Sequence, residues 1–194
     1  PLQDAHQEYL SKIRLAGPSV ERRDHPKDHG IAADALFEFW EHFQRFLLDR
    51  NMHFVVSNLV LPLTAKRKVS FVDLLGSRRV DFFVSHSWGT PFQHFVKCIR
   101  RHASFARAPD AAYWICSLAN NQWDVEGALG TDVMESAFAR VLLAGVRGVV
   151  MVLDAEVQPL TCVWCLFEFL LSSRSQLDLV FGTDLGVLGD EGTS

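Results

Sequence analysis

Glu168 lies between Phe167 and Phe169, one helical turn after Trp164-Cys165. A carboxylate set among aromatic residues near the ends of strands is where burial shifts a pKa toward chemistry. The competing structural account is a first-turn carboxylate favoured by its helix dipole. Cys162-Val163-Trp164-Cys165 just before it is a C-x-x-C at a predicted helix start, a setting that lowers a thiol pKa and suits redox exchange. Its place after a third strand, rather than after the first of a unit, favours packing instead. His94, Cys98 and His102 recur at i, i+4 and i+8 and offer two or three metal ligands. With no source for a fourth ligand, they read as the margin of a packed helix. Ser85-His86-Ser87 has the residue types of a nucleophile and its base, but neighbours on a strand point to opposite faces and cannot form a triad. Asp154 and Glu156 offer carboxylates for Mg²⁺ without the companion acidic pair after the first strand. Gly182, Gly186 and Gly189 have the wrong spacing for a dinucleotide fingerprint, and no Walker sequence exists.

The elements that must position these residues alternate in the second half of the chain. Asp81 to Ser85, Ala112 to Ala119, Val146 to Leu153 and Leu177 to Phe181 read as strands. Between them Pro91 to Ala106, Asp132 to Ala144 and Val163 to Ser173 read as helices. This alternation predicts βαβ crossovers and a three-layer α/β domain with a flavodoxin-like parallel sheet, over residues 80–194. Chemistry in such a sheet belongs at the carboxyl ends of its strands, which selects the loops Ser85 to Phe92, Asn120 to Thr131 and Asp154 to Trp164. Residues 1–79 read as an N-terminal arm and helical extension. Within it, Leu36, Phe39, Trp40, Phe43, Phe46 and Leu47 have the spacing of one helical face, and Asp28 is a candidate cap. His53 to Leu61 reads as a strand or extended segment ended by Pro62, and Val69 to Leu75 is too short to assign.

Composition sets the outer limits. The 194 residues suit one well-packed domain with an extension, and 48% hydrophobic with 22% charged residues excludes a disordered chain. Nineteen basic against 23 acidic residues give a charge of -4, which argues against a nucleic-acid partner; Lys66-Arg67-Lys68 is too short a cluster to change that. The longest nearly apolar stretch, Val146 to Leu153, is interrupted by Arg147, so no transmembrane segment is expected. Four irregularly spaced cysteines point to a reducing compartment. A cytoplasmic location is the default expectation, with an organelle the alternative if a leader has been removed.

Trp164-Cys165-Leu166-Phe167-Glu168 resembles the Trp-Cys-x-x-Glu signature of the TIR domains, and Val84 to Gly89 is similar to the turn after their first strand. The segments 83–89, 113–116 and 120–123 look like a divergent TIR-like group of unicellular algae. The resemblance covers Val80 to about Phe181. It implies a TIR-like fold and, from those TIR domains that are enzymes, a role for Glu168 in cleaving the nicotinamide-ribose bond of NAD. NAD is then a substrate, with no tightly bound cofactor. A carboxylate stabilises the oxocarbenium-like charge that this cleavage builds, and the nicotinamide leaves neutral without an acid. Ser85, Ser87, Trp88, Gly89, Asn120, Asn121, Gln122, Trp123 and Trp164 are the implied binding residues. The other reading is a non-catalytic interaction module or accessory subunit of a larger assembly, organellar or photosynthetic. Phe37, Phe39, Trp40, Phe43 and Phe46 on one helix favour it, since they are enough for both an internal and an intermolecular face. Either way, protein partners or self-association are expected.

Overall fold

A computed structural model describes residues 1–16, 25–130 and 132–189. Four apolar runs become the parallel strands β2 (Phe82–His86), β3 (Ala112–Ile115), β4 (Gly148–Val152) and β5 (Leu179–Gly182), joined at one edge by β1 (Ile31–Ala32). The order is β1-β3-β2-β4-β5, with β1 antiparallel to β3 and all other pairs parallel. The molecule is thus an α/β protein with a mostly parallel five-stranded sheet, and its parallel strands are wound in an order compatible with a flavodoxin-like fold. The order reverses at the β2/β4 pair, where parallel sheets of this winding open a crevice at their strand ends.

Alternation along β2 assigns its side chains. Phe82, Val84 and His86 face α6 (Phe92–Phe105), with the His86 ring 4.8 Å from Phe95. Phe83 and Ser85 face the opposite layer, formed by α9 (Ala137–Leu143) and α10 (Val163–Arg174). There Phe83 stacks on Trp114 at 4.8 Å, and Phe138, Val141, Leu142 and Leu171 complete the cluster. Both faces of the sheet are therefore covered, as its near-continuous apolar strands require.

The first third of the chain is built into the same core. β1 extends the sheet beside β3, and α2 (Ala33–Leu47) packs on α6. Phe39 and Phe43 are fully buried, while Phe37, Trp40 and Phe46 are partly buried against the same cluster, which also takes Tyr9 from α1 (Leu2–Ala16). The aromatic helix is thus largely covered by its own chain. His53 to Leu61 is helical rather than extended, a correction to the sequence reading. α3 (Met52–Val55) runs through a π turn (Val56–Val60) into α4 (Leu61–Thr64). Val55, Val56, Leu59, Val60 and Leu63 point inward at helical spacing, and burial of that stripe outweighs the β-preference of its valines. Pro62 sits in the first turn of α4, where its missing N–H costs little.

Two smaller expectations are also corrected. Asp28 lies in a separate 3₁₀ turn, Pro26–Asp28, and Ala32 precedes α2 without a side-chain cap. The predicted helix over Asp132 to Ala144 divides at Ser136, whose side chain caps α9 after a 3₁₀ turn at Val133–Glu135. The short segment after Val69 forms α5 (Phe71–Leu75), capped by Ser70. Cys116–Ala119 turns from the end of β3 into α7, followed by α8 (Val125–Leu129). Among the described residues no helix is long and apolar enough to cross a membrane.

Candidate functional site

Glu168 is carried on the inward face of α10, where Cys165 and Ser172 flank it one turn to either side. The strand pleat brings Ser85 beneath it, and Ser85 Oγ donates to Glu168 Oε2 at 2.6 Å. The carboxyl group is buried, and no Lys, Arg or His lies within ion-pair distance of it among the described residues. Burial therefore pushes its pKa up to about 8, with the Ser85 hydrogen bond only partly opposing. In the resting protein at neutral pH, Glu168 is mostly protonated.

The surroundings of Glu168 come from the strand ends. Cys116, at the end of β3, accepts from Trp88 Nε1 at 3.3 Å. Burial pushes the Cys116 thiol up to about 12, and the Glu168 carboxylate pushes in the same direction. Gln122 Nε2 donates to the carbonyls of Cys116 and Asn120. Beside this, the loops after β2 and β4 are laced together. Ser87 Oγ donates to Gln158 Oε1 at 3.0 Å, Thr90 Oγ1 donates to Asp154 Oδ2 at 3.0 Å, and the Gln158 backbone N–H donates to Asp154 Oδ1. A Cβ on Gly89 would stand 2.7 Å from Gln158 Oε1, so a larger residue there displaces the end of the Gln158 side chain.

The predicted binding residues thus divide. Ser85 bonds Glu168 directly, Trp88 and Gln122 bond the neighbouring Cys116, and Ser87 and Gly89 lie against Gln158 in the contact between the loops after β2 and β4. Asn121 and Trp123 turn instead to the first third of the chain, donating to Lys68 O and Thr64 Oγ1. Trp164 projects to the outside of α10, half-exposed, with its ring 5.3 Å from Phe138. Asn120 and Asn121 line a separate polar pocket of about 420 Å³, together with His29, Arg67, Asp73 and Arg140. Sequence reasoning did not find this pocket, because much of its wall comes from residues 26–73, read as an arm and extension.

The remaining chemical candidates are absorbed into structure. Asp154 is occupied by Thr90 and Gln158, and Glu156 accepts from Gln158 Nε2. His94 meets Leu153 O at 2.9 Å, His102 meets the Tyr113 hydroxyl at 2.9 Å, and Cys98 is buried. Among the described residues no group of three His, Cys, Asp or Glu is arranged to hold a metal ion. All four cysteines are free thiols. Cys165 is buried with its Sγ 3.6 Å from His86 O, and burial raises its pKa rather than lowering it as a redox nucleophile requires. On native, unreduced protein the half-exposed Cys162 is expected to react first with a thiol reagent, and Cys98 and Cys165 only after unfolding. A disulfide between Cys162 and Cys165 that cycles near the glutathione potential would overturn this assignment.

Comparison with protein-family models, curated proteins and solved structures finds no match to this chain.

Proposed function

We propose that the chain is a TIR-like signalling domain that binds NAD and hydrolyses its nicotinamide-ribose bond, with Glu168 as the catalytic residue. The observation that carries the reading is a buried carboxylate without a counter-ion, at the carboxyl end of a parallel strand and hydrogen-bonded to Ser85. The nicotinamide-ribosyl unit of NAD is itself cationic, so its arrival reverses the burial effect and favours the ionised carboxylate. Glu168 then stabilises the positive charge that grows on the ribose as the C1–N bond breaks. The bonding electron pair leaves with neutral nicotinamide. Water adds to C1, and its proton passes to Glu168 or to solvent. With Glu168 only 8% exposed, the side chains around it must give way before a ribose reaches the carboxylate. Trp88 and Gln122 then supply stacking surface and hydrogen bonds. Incubating the chain with NAD and following nicotinamide release, beside Glu168→Gln, tests the reading.

The interaction-module reading has its own observation. α10 is inverted for a surface helix, turning Glu168 and Ser172 inward while Val163, Trp164, Leu166, Phe169 and Leu170 are exposed. Five such side chains present apolar surface on the order of 500 Å², the upper end of what a monomer carries. Leu143 and Leu160 on the neighbouring elements are exposed as well. A second copy of the chain fits this face, because an isologous pairing opposes the same apolar helix on both sides and approaches the roughly 800 Å² per partner of a stable dimer. Light scattering over a concentration series is expected to show a dimer, and Trp164→Glu to weaken it at least about 100-fold. A wild-type protein that stays monomeric throughout would end this reading.

A further inference from the structure

The polar pocket built by Pro26 to His29, the Arg67-to-Asp73 segment, Asn120-Asn121 and α9 has features that the Glu168 reading does not use. Its volume, about 420 Å³, is that of a small-molecule site. Arg67 and Arg140 both line it, and among the described residues neither guanidinium has a hydrogen-bond or ion-pair partner. Lys68 beside them lies 5.6 Å over the ring of Trp123.

The second observation is independent of these surface cations. Asp73 is 5% exposed and lines the pocket, and its Oδ1 has no hydrogen-bond donor. The nearest basic nitrogen, His29 Nε2, stands 3.9 Å away, beyond hydrogen-bond reach. An unsatisfied buried carboxylate oxygen costs free energy that an incoming donor recovers. The cations Arg67, Lys68 and Arg140 are balanced by Asp73, Asp124 and Glu135. A bare anion gains little from such a mixture, whereas a ligand with an anionic end and a neutral hydroxyl end matches it.

We propose that this pocket binds a small phosphorylated sugar or nucleotide, its phosphoryl group held by Arg67 and Arg140 and a sugar hydroxyl donating to Asp73 Oδ1. Bidentate guanidinium-phosphate pairing suits both arginines, and the Asn120 side chain lies in the same wall for a remaining hydroxyl or a base. The proposal does not rest on the chemistry at Glu168.

Calorimetric titration of the whole chain with ribose 5-phosphate, adenosine monophosphate, ribose and inorganic phosphate tests it. Saturable binding of one or both phosphorylated ligands is expected, at least tenfold tighter than inorganic phosphate or ribose, and the tighter of the two identifies a free sugar phosphate or a nucleotide as the source. Arg67→Ala and Arg140→Ala, both exposed positions tolerant of change, are each expected to weaken that binding at least tenfold. Asp73→Asn is expected to remove the preference over inorganic phosphate. Should that buried variant not fold, the two arginine variants decide alone. Absence of saturable binding, or binding unchanged by both arginine variants, overturns the proposal. Glu168→Gln should bind these ligands as wild type does; loss of binding in that variant would move the site to Glu168 and overturn the assignment to this pocket.

Discussion

Glu168→Gln is expected to lower the rate of nicotinamide release from NAD by two to three orders of magnitude, the range lost when one preorganised electrostatic partner of a transition state is removed. Gln keeps the shape of the side chain and can accept from Ser85 Oγ, so packing on the inner face of α10 is preserved while the charge is not. The pH dependence gives a second readout. Because burial raises the pKa of Glu168 to about 8, kcat/KM of the wild type is expected to rise with pH and level off above that value. Stability runs the other way. The folded chain holds the Glu168 proton between the ordinary value of 4.5 and about 8, while the unfolded chain releases it, so stability falls as pH rises across that window. The limiting slope is about 1.4 kcal/mol per pH unit. Below the window both states are protonated, and the Gln variant has no such slope. Denaturant midpoints of the two proteins at pH 5 and pH 8 check the sign. A Gln variant that matches wild type in nicotinamide release would remove Glu168 from the chemistry, and a flat difference in midpoints would contradict its burial as a neutral acid.

The four parallel strands were legible because they are short apolar runs separated by helix-spaced segments, and this pattern survives without knowledge of tertiary contacts. Glu168 and Ser85 were both legible as candidates, yet their pairing was not. It requires the strand order that sets β2 against α10, and nothing local in either segment encodes it. The segment from Met52 to Thr64 misled because Phe54, Val55, Val56 and Val60 have strand-forming side chains. Only the packing of α1, α5 and α7 around it makes helical burial the better outcome. Asn121 and Trp123 lie in one of the three loops that the sequence selects, but their protein partners are not legible there. Their donors are taken by Lys68 and Thr64, residues about 60 positions earlier, and long-range pairing of that kind leaves no periodic trace.

Phe39→Ala is expected to destabilise the whole chain by about 3–5 kcal/mol, a large part of the roughly 5–15 kcal/mol that holds a domain together. The ring is fully buried and meets Tyr9 at 5.7 Å, Phe43 at 5.2 Å, Phe71 at 5.0 Å and Phe92 at 6.1 Å. Those rings belong to α1, α2, α5 and α6, so the deletion opens a cavity where the first third of the chain meets the helix that covers the sheet. Aromatic neighbours clamped from four elements cannot collapse into the void cheaply, which puts the cost toward the upper end. The same contacts predict that urea unfolds residues 1–79 and 80–194 in one transition, followed by tryptophan fluorescence from Trp40 in one part and Trp114 in the other. The separate fragment 80–194 would expose the face of Phe92 that Phe39 and Trp40 of α2 cover, and is expected to lose most of its stability. If Phe39→Ala cost under about 1 kcal/mol, or the fragment unfolded at the midpoint of the whole chain, the first 79 residues would be an appendage on an independent α/β domain.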